Sequence, residues 1–278
     1  MIGPLCYIGG KRRLAPFLIS LFPAHTTYVE PFAGGAQVFF HKPPSTVEVL
    51  NDLDTEVVNF LRICQLHHDE LVRWIRFMLP SRRLHQLMTM QDPATLTDVQ
   101  RAARFLYLQK NSFGGRIHHQ NFHYCVTKPA NFHPGRVPSL IAATAKRLEG
   151  VQLECWPYER VLERYDRPTT LFYCDPPYVG VDLYRINFSD DEFRQLAQRL
   201  SALRGKFLLS INDCELSRTV FGEFHRLEVP VVYTAARPVP TVRELVFSNC
   251  DLPSELTPPP LSASPSSPDS ISAVNIFS

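Results

Sequence analysis

Between Arg101 and Leu148 the chain has no aspartate and no glutamate, yet it carries Arg101, Arg104, Lys110, Arg116, Lys128, Arg136, Lys146 and Arg147. That is +8 within one segment of a 278-residue protein whose formal net charge is +2, so the remainder carries −6. An asymmetry of this kind is the electrostatic footprint of a polyanion partner. Other absences narrow the field. No two of the seven cysteines form a CxxC pair and their number is odd, which leaves neither a disulfide framework nor a zinc site. His118, His119 and His123 stand close together without further ligands at metal-binding spacing, so no metal is expected. No apolar run is long enough to span a membrane and no signal-type segment opens the chain, so no membrane partner and a cytoplasmic protein are expected. No GxGxxG occurs, which weakens a dinucleotide reading.

An apolar fraction of 45% against 20% charged residues describes a globular chain with a substantial core. Strands are expected at Thr27–Glu30, Thr46–Leu50, Val151–Glu154, Thr170–Cys174, Lys206–Ile211 and Glu228–Tyr233, with Glu244–Ser248 pairing at the edge. Helical spacing lies between them: Leu14, Phe17, Leu18 and Leu21; Gln37 to His41; Val57, Val58, Leu61 and Cys64. Ser189-Asp-Asp-Glu192 fits a capping box ahead of Phe193, Leu196, Ala197 and Leu200. This alternation predicts an α/β fold built on a doubly wound, mainly parallel sheet. Residues 69–148 read as a mainly helical insertion, with Leu71, Trp74, Ile75 and Met78 on one stripe and a loop-rich stretch at 112–136. The catalytic domain is then discontinuous, 1–68 and 149–253. Residues 254–278 are rich in Pro and Ser, the composition of a disordered tail.

Two stretches carry chemistry. Glu30-Pro-Phe-Ala-Gly-Gly35 places glycines between a first strand and a helix, where a ligand can approach the backbone closely. Asp52 ends the next strand, a position from which an acid can accept ribose hydroxyls or simply cap the following helix. Asp175-Pro-Pro-Tyr178 follows the apolar strand Leu171 to Cys174. Average residue usage produces such a tetrapeptide in roughly one chain in a thousand of this length. It sits at a strand's carboxyl end, where α/β sheets bind ligands.

With these residues the chain resembles the DNA adenine (N6) methyltransferases, in the group that includes the GATC-methylating enzymes. The matching pieces are Tyr7-Ile-Gly-Gly-Lys11, Tyr28-Val-Glu-Pro-Phe-Ala-Gly-Gly35, Val49-Leu-Asn-Asp52, Phe172-Tyr-Cys-Asp-Pro-Pro-Tyr178, Phe207-Leu-Leu-Ser-Ile-Asn-Asp213 and Glu244-Leu-Val-Phe-Ser-Asn249, in the group's order, over about residues 5–250. The resemblance implies a Rossmann-like sheet, S-adenosyl-L-methionine (AdoMet) as cofactor and double-stranded DNA as partner. It implies a flipped-out target base, a monomer of bacterial or phage origin, and a setting such as restriction–modification. It also implies catalytic roles for Asp175, Pro176, Pro177 and Tyr178, and AdoMet contacts from Tyr7, Lys11, Glu30, Phe32, Gly34, Asp52 and Asp175. Residues 69–148 correspond to the target-recognition region, with Lys110, Arg116, Lys128 and Arg136 as candidate DNA contacts.

One departure stands out. Pro157, in Glu154-Cys-Trp-Pro-Tyr158, occupies the position where the family carries an acid for the cofactor's adenine amine. That exchange implies weaker cofactor binding, or acceptance of the amine by the Pro157 or Trp156 carbonyl. Two other functions compete with DNA methylation. An RNA adenine methyltransferase also uses this tetrapeptide, and a DNA-binding protein that has lost activity fits the Pro157 change.

Overall fold

The computed structural model describes residues 3–5, 11–112, 121–122, 130–180, 186–232 and 241–253. Its centre is a seven-stranded sheet formed by β1 (Thr27–Glu30), β2 (Val47–Asn51), β3 (Gln152–Glu154), β4 (Thr170–Cys174), β5 (Lys206–Asn212), β6 (His225–Val232) and β7 (Thr241–Ser248). The strand order is β3-β2-β1-β4-β5-β7-β6. The first five strands are mutually parallel, while β7 runs antiparallel between β5 and β6. In chain order the helices are α1 (Ala15–Ser20), α2 (Gln37–His41), α3 (Thr55–Leu66), α4 (His68–Ile75), α5 (Arg82–Met90), α6 (Asp98–Asn111), α7 (Val137–Leu148), α8 (Tyr158–Tyr165), α9 (Asp190–Ser201) and α10 (Glu215–Val220). A doubly wound α/β fold is thus what the alternating pattern produces.

Both faces of the sheet are buried, which explains why its strands read as continuous apolar runs. Tyr28, Leu50, Leu171, Tyr173, Leu208 and Val246 point to one side, into a cluster with α1, α2, α3, α6 and α7. Their neighbours Val29, Val49, Phe172, Cys174, Phe207, Leu209, Leu245 and Phe247 point to the other, against α8 and α9. The period of two along a strand sorts the side chains between the two clusters. Helices of the 69–148 segment share the first cluster, Phe105 and Leu106 of α6 and Ile141 of α7 lying with Val57, Phe60 and Leu61 of α3. The capping box ahead of α9 forms as expected, with Ser189 and Glu192 bonding each other's backbone N–H groups.

Two expectations are corrected. Glu244–Ser248 does not lie at the sheet edge: it is paired on both sides, and all five residues are buried. The edge is β6, whose exposed Pro230 lacks the donor an interior strand needs. Trp74 does not join the buried stripe of α4. It is 47% exposed beside fully buried Leu71 and Ile75, because the helix's apolar face is only as wide as those two side chains.

Candidate active site

Parallel strands bring their carboxyl ends to one edge, so β1, β2 and β4 deliver Glu30, Asp52 and Asp175 to a common cavity. The turn after β1 is held by β2. Ala33 N–H donates to the Asn51 carbonyl (2.8 Å), and Gly34 N–H donates to Asp52 Oδ2 (2.7 Å). Gly34 has φ +47°, a left-handed conformation that glycine adopts without steric cost. The second oxygen of Asp52 accepts from Asp54 N–H (2.8 Å), so this carboxylate ties the turn to the start of α3. Burial raises its pKa to about 6, outweighing those two bonds. Glu30 is more deeply enclosed. Its Oε1 accepts from the Tyr28 hydroxyl (2.7 Å) and Phe39 N–H (2.8 Å), and burial lifts it to about 8.

Asp175 follows directly on β4. Its Oδ1 meets Lys11 Nζ at 2.7 Å, and the same ammonium lies 2.7 Å from Glu244 Oε1 and 2.7 Å from the Tyr178 hydroxyl. Tyr178 in turn reaches Glu244 at 3.2 Å, with Lys11 Nζ 4.6 Å from the centre of its ring. Lys11 and Glu244 are both buried, while the Asp175 side chain keeps 25% exposure towards the cavity. Burial pushes Asp175 up, the Lys11 ammonium draws it down and Glu244 pushes it up again, leaving it at about 6. For Lys11, burial favours the neutral amine, but Asp175 and Glu244 outweigh it and hold the ammonium well above its ordinary range. The turn itself is pinned: Pro176 is buried, and the Asn212 side-chain amide bonds both the N–H and the carbonyl of Val179 (3.0 and 3.2 Å).

The structure brings Lys11, Glu30, Phe32, Gly34, Asp52, Asp175 and Pro177 onto one cavity. Phe32 stands against Tyr158 and Phe188, ring centres 5.3 and 5.7 Å away, and supplies an aromatic wall. Tyr7, Arg116 and Lys128 lie outside the described residues. Lys110 ends α6 and Arg136 is exposed at the start of α7; neither lines this cavity.

The acid-free stretch is less bare in space than in sequence. Arg101 pairs with Glu56 and Asp98, Arg104 donates to the Met88 carbonyl, and Arg147 makes a two-pronged bond to Glu48. Among the described residues, Arg101, Arg104 and Arg147 are therefore engaged by segments outside the stretch.

Trp156 and Pro157 also line the cavity, beside Glu159 and Glu192. The Trp156 carbonyl accepts from Asn51 Nδ2 (3.0 Å), and the Pro157 carbonyl accepts from Arg160 N–H (3.1 Å) in the first turn of α8. Each of the two carbonyls proposed to replace the missing acid already has a protein donor. Sequence reasoning gave no role to Glu244, Ser210, Asn51 or Asn212. A signal existed: Glu244 is an acid directly ahead of apolar Leu245, Val246 and Phe247, and Ser210 a polar residue within an apolar strand.

A comparison with known proteins decides among methyl-transfer chemistries. The family model of the D12 class N6 adenine-specific DNA methyltransferases matches residues 7–235. The chain belongs to this family. Relatives include the Type II methyltransferase M.CviBI of Paramecium bursaria Chlorella virus NC1A, 24% identical over 75% of this chain and 81% of that one. The DNA adenine methylase of Serratia marcescens is 25% identical over 77% of this chain and 84% of its own. The Type II methyltransferase M1.LlaDCHI of Lactococcus lactis subsp. cremoris is 27% identical, with the match spanning 41% of this chain and under half, 43%, of that enzyme. The D12 class is one of N6 adenine-specific DNA methyltransferases, whose chemistry requires a methyl donor. The cavity's chemistry fits such a donor: an aromatic wall at Phe32, Tyr158 and Phe188 suits a nucleobase, and the Lys11 ammonium suits the carboxylate of an amino-acid end. Among the described residues no cluster of His, Cys, Asp or Glu could hold a metal ion, and no helix is long and apolar enough to cross a membrane.

Proposed function

We propose that this chain methylates the exocyclic amine of adenine at a defined site in double-stranded DNA, using Asp175 and a carbonyl of the Pro176–Pro177 turn as acceptors for the two amine hydrogens. The observation that carries this reading is the position of Asp175: it directly follows a parallel strand, and it shares a cavity with the Glu30–Asp52 turn. Bound AdoMet supplies a methyl group on a sulfonium. The adenine amine is a poor nucleophile because its lone pair is delocalised into the ring. Two acceptors, one charged, favour a more tetrahedral nitrogen and so free that lone pair. With a pKa of about 6, Asp175 is ionised at neutral pH and able to accept. The buried Pro176 and the Asn212 clamp hold the turn rigid while it does so.

The amine is out of reach inside a duplex, so the base leaves the stack, and Tyr178 offers it a ring to lie against. AdoMet contacts fall to Lys11, Glu30, Phe32, Gly34, Asp52 and Asp175, together with Tyr7. Phe32→Ala is expected to weaken AdoMet binding about tenfold by calorimetry, the equivalent of about 1.4 kcal/mol; unchanged affinity would remove Phe32 from the cofactor wall. Residues 69–148 serve target recognition, with Lys110, Arg116, Lys128 and Arg136 neutralising phosphates or reading bases; residues 254–278, expected from composition to be a tail, lie outside the described residues. The enzyme acts as a cytoplasmic monomer in a bacterial or phage-infected cell.

The test is transfer of labelled methyl from AdoMet to duplex DNA of varied sequence, followed by nucleoside analysis. Label is expected in N6-methyladenine. Label on RNA alone, or none on either, overturns the proposal.

A further inference from the structure

Glu244 arrives from outside the stretches that carry the chemistry. It lies on β7, the antiparallel strand next to β5, opposite Asn212. A carboxylate that is 2% exposed within a strand of Leu, Val and Phe needs a reason to be there. It meets two groups of the active site, the Lys11 ammonium at 2.7 Å and the Tyr178 hydroxyl at 3.2 Å.

The geometry poses a conflict for Asp175. The oxygen that must accept an amine hydrogen, or its twin on the same carboxylate, is already in contact with Lys11 at 2.7 Å. If Lys11 had Asp175 as its only anionic partner, a buried ion pair would cap the acceptor, and such pairs are costly to break. Glu244 changes this by offering the same ammonium a second carboxylate at the same distance. Lys11 can then give up Asp175 without becoming a buried, unpaired cation.

We propose that Glu244 is a positioning residue for methyl transfer: it anchors Lys11 and the Tyr178 hydroxyl, so that Asp175 is freed to accept the adenine amine. This inference rests on the reading of Asp175 as that acceptor. The groups facing Asp175 are Lys11 ahead of α1, Glu30 at the end of β1, Tyr173 on β4, Ser210 on β5, Glu244 on β7 and Tyr178 on the turn itself. Of these, Glu30, lifted to about 8 by burial, and Glu244 are the carboxyl groups and Lys11 is the ammonium. Removing the charge of Glu244 leaves Lys11 gripping Asp175 more tightly and takes away a like charge; each change stabilises ionised Asp175.

The test compares wild type, Glu244→Gln and Glu244→Asp in full-length protein, with folding checked by circular dichroism. For Glu244→Gln, kcat is expected to fall about tenfold. The acid limb of the kcat/KM profile is expected to move to lower pH by about one unit. Glu244→Asp keeps the charge and is expected to leave the limb where wild type has it. Three results overturn the inference: Glu244→Gln with wild-type kcat, a fall in kcat with an unmoved limb, or Glu244→Asp moving the limb as far as Glu244→Gln. Asp175→Asn in the same assay separates the levels. If it remains active, the acceptor reading fails and takes this inference with it. If it is inactive while Glu244→Gln behaves as wild type, the Glu244 inference fails alone.

Discussion

Asp175→Asn is expected to lower the rate of methyl transfer to DNA by about 10³-fold, on the scale of losing one preorganised charged partner of a reacting group. The amide keeps the shape of the side chain, so the strand and the turn after it remain in place. What it loses is the negative charge facing the amine, and half of its polar surface becomes a donor where an acceptor is required. Lys11 retains Glu244 at 2.7 Å, so the substitution leaves no buried cation stranded and the fold should hold. Single-turnover methylation of duplex DNA, alongside thermal unfolding, checks both halves. Activity within tenfold of wild type in a normally folded variant would sink the acceptor role. In the wild-type enzyme the same carboxylate sets the acid limb: activity should fall as pH drops through about 6, where Asp175 gains its proton.

The largest expected effect on stability lies away from the chemistry. Glu48 on β2 holds two cations, buried Lys42 at 2.5 Å and partly buried Arg147 through bonds of 2.5 and 2.8 Å. Lys42 stands over the Tyr28 ring and Arg147 over Phe39, so one carboxylate joins β1, α2, β2 and α7. Glu48→Ala leaves both cations without their anion, and breaking such a buried pair costs about 3–5 kcal/mol. At about 2–4 °C per kcal/mol for a chain of this size, Tm should fall by roughly 10 °C. The pH dependence has a definite sign. Burial raises the Glu48 carboxyl, but hydrogen bonds from Arg147 and Lys42 outweigh it and leave the pKa below its ordinary value. Its contribution is therefore complete above the unfolded value of about 4.3 and is lost as pH falls through the lower folded one. Differential scanning calorimetry should show the gap between wild type and variant closing below about pH 4. A gap that stays constant with pH, or a loss under 1 kcal/mol, argues against the ion cluster as the cause.

Local signals explain what could be read without the structure. The strand Thr170–Cys174 and the capping box at Ser189 depend on neighbouring residues alone, and they appear at the predicted positions. The Asp175 turn was legible because two prolines after an apolar run have little other use. What escaped was settled across the chain. Arg147 belongs to Glu48, 99 residues earlier, and Lys11 to Asp175, 164 residues later. A charge count along the chain cannot register such pairs, which is why the acid-free stretch looked more available to a polyanion than it is. Strand β7 was misplaced for a related reason. Its local pattern gives a strand, but its position between β5 and β6 depends on which neighbours compete for the edge, and Pro230 decides that on β6.

The antiparallel placement of β7 also orders the site in time. Lys11 leaves the ribosome early and Asp175 midway, whereas Glu244 emerges only once β7 has been made. The second carboxylate joins when β7 pairs with β5, a non-local pairing with β6 intervening in sequence, of the kind that slows folding. Among the described residues β7 is the last strand in chain order, so the second partner of Lys11 is supplied by the part of the sheet that is made last.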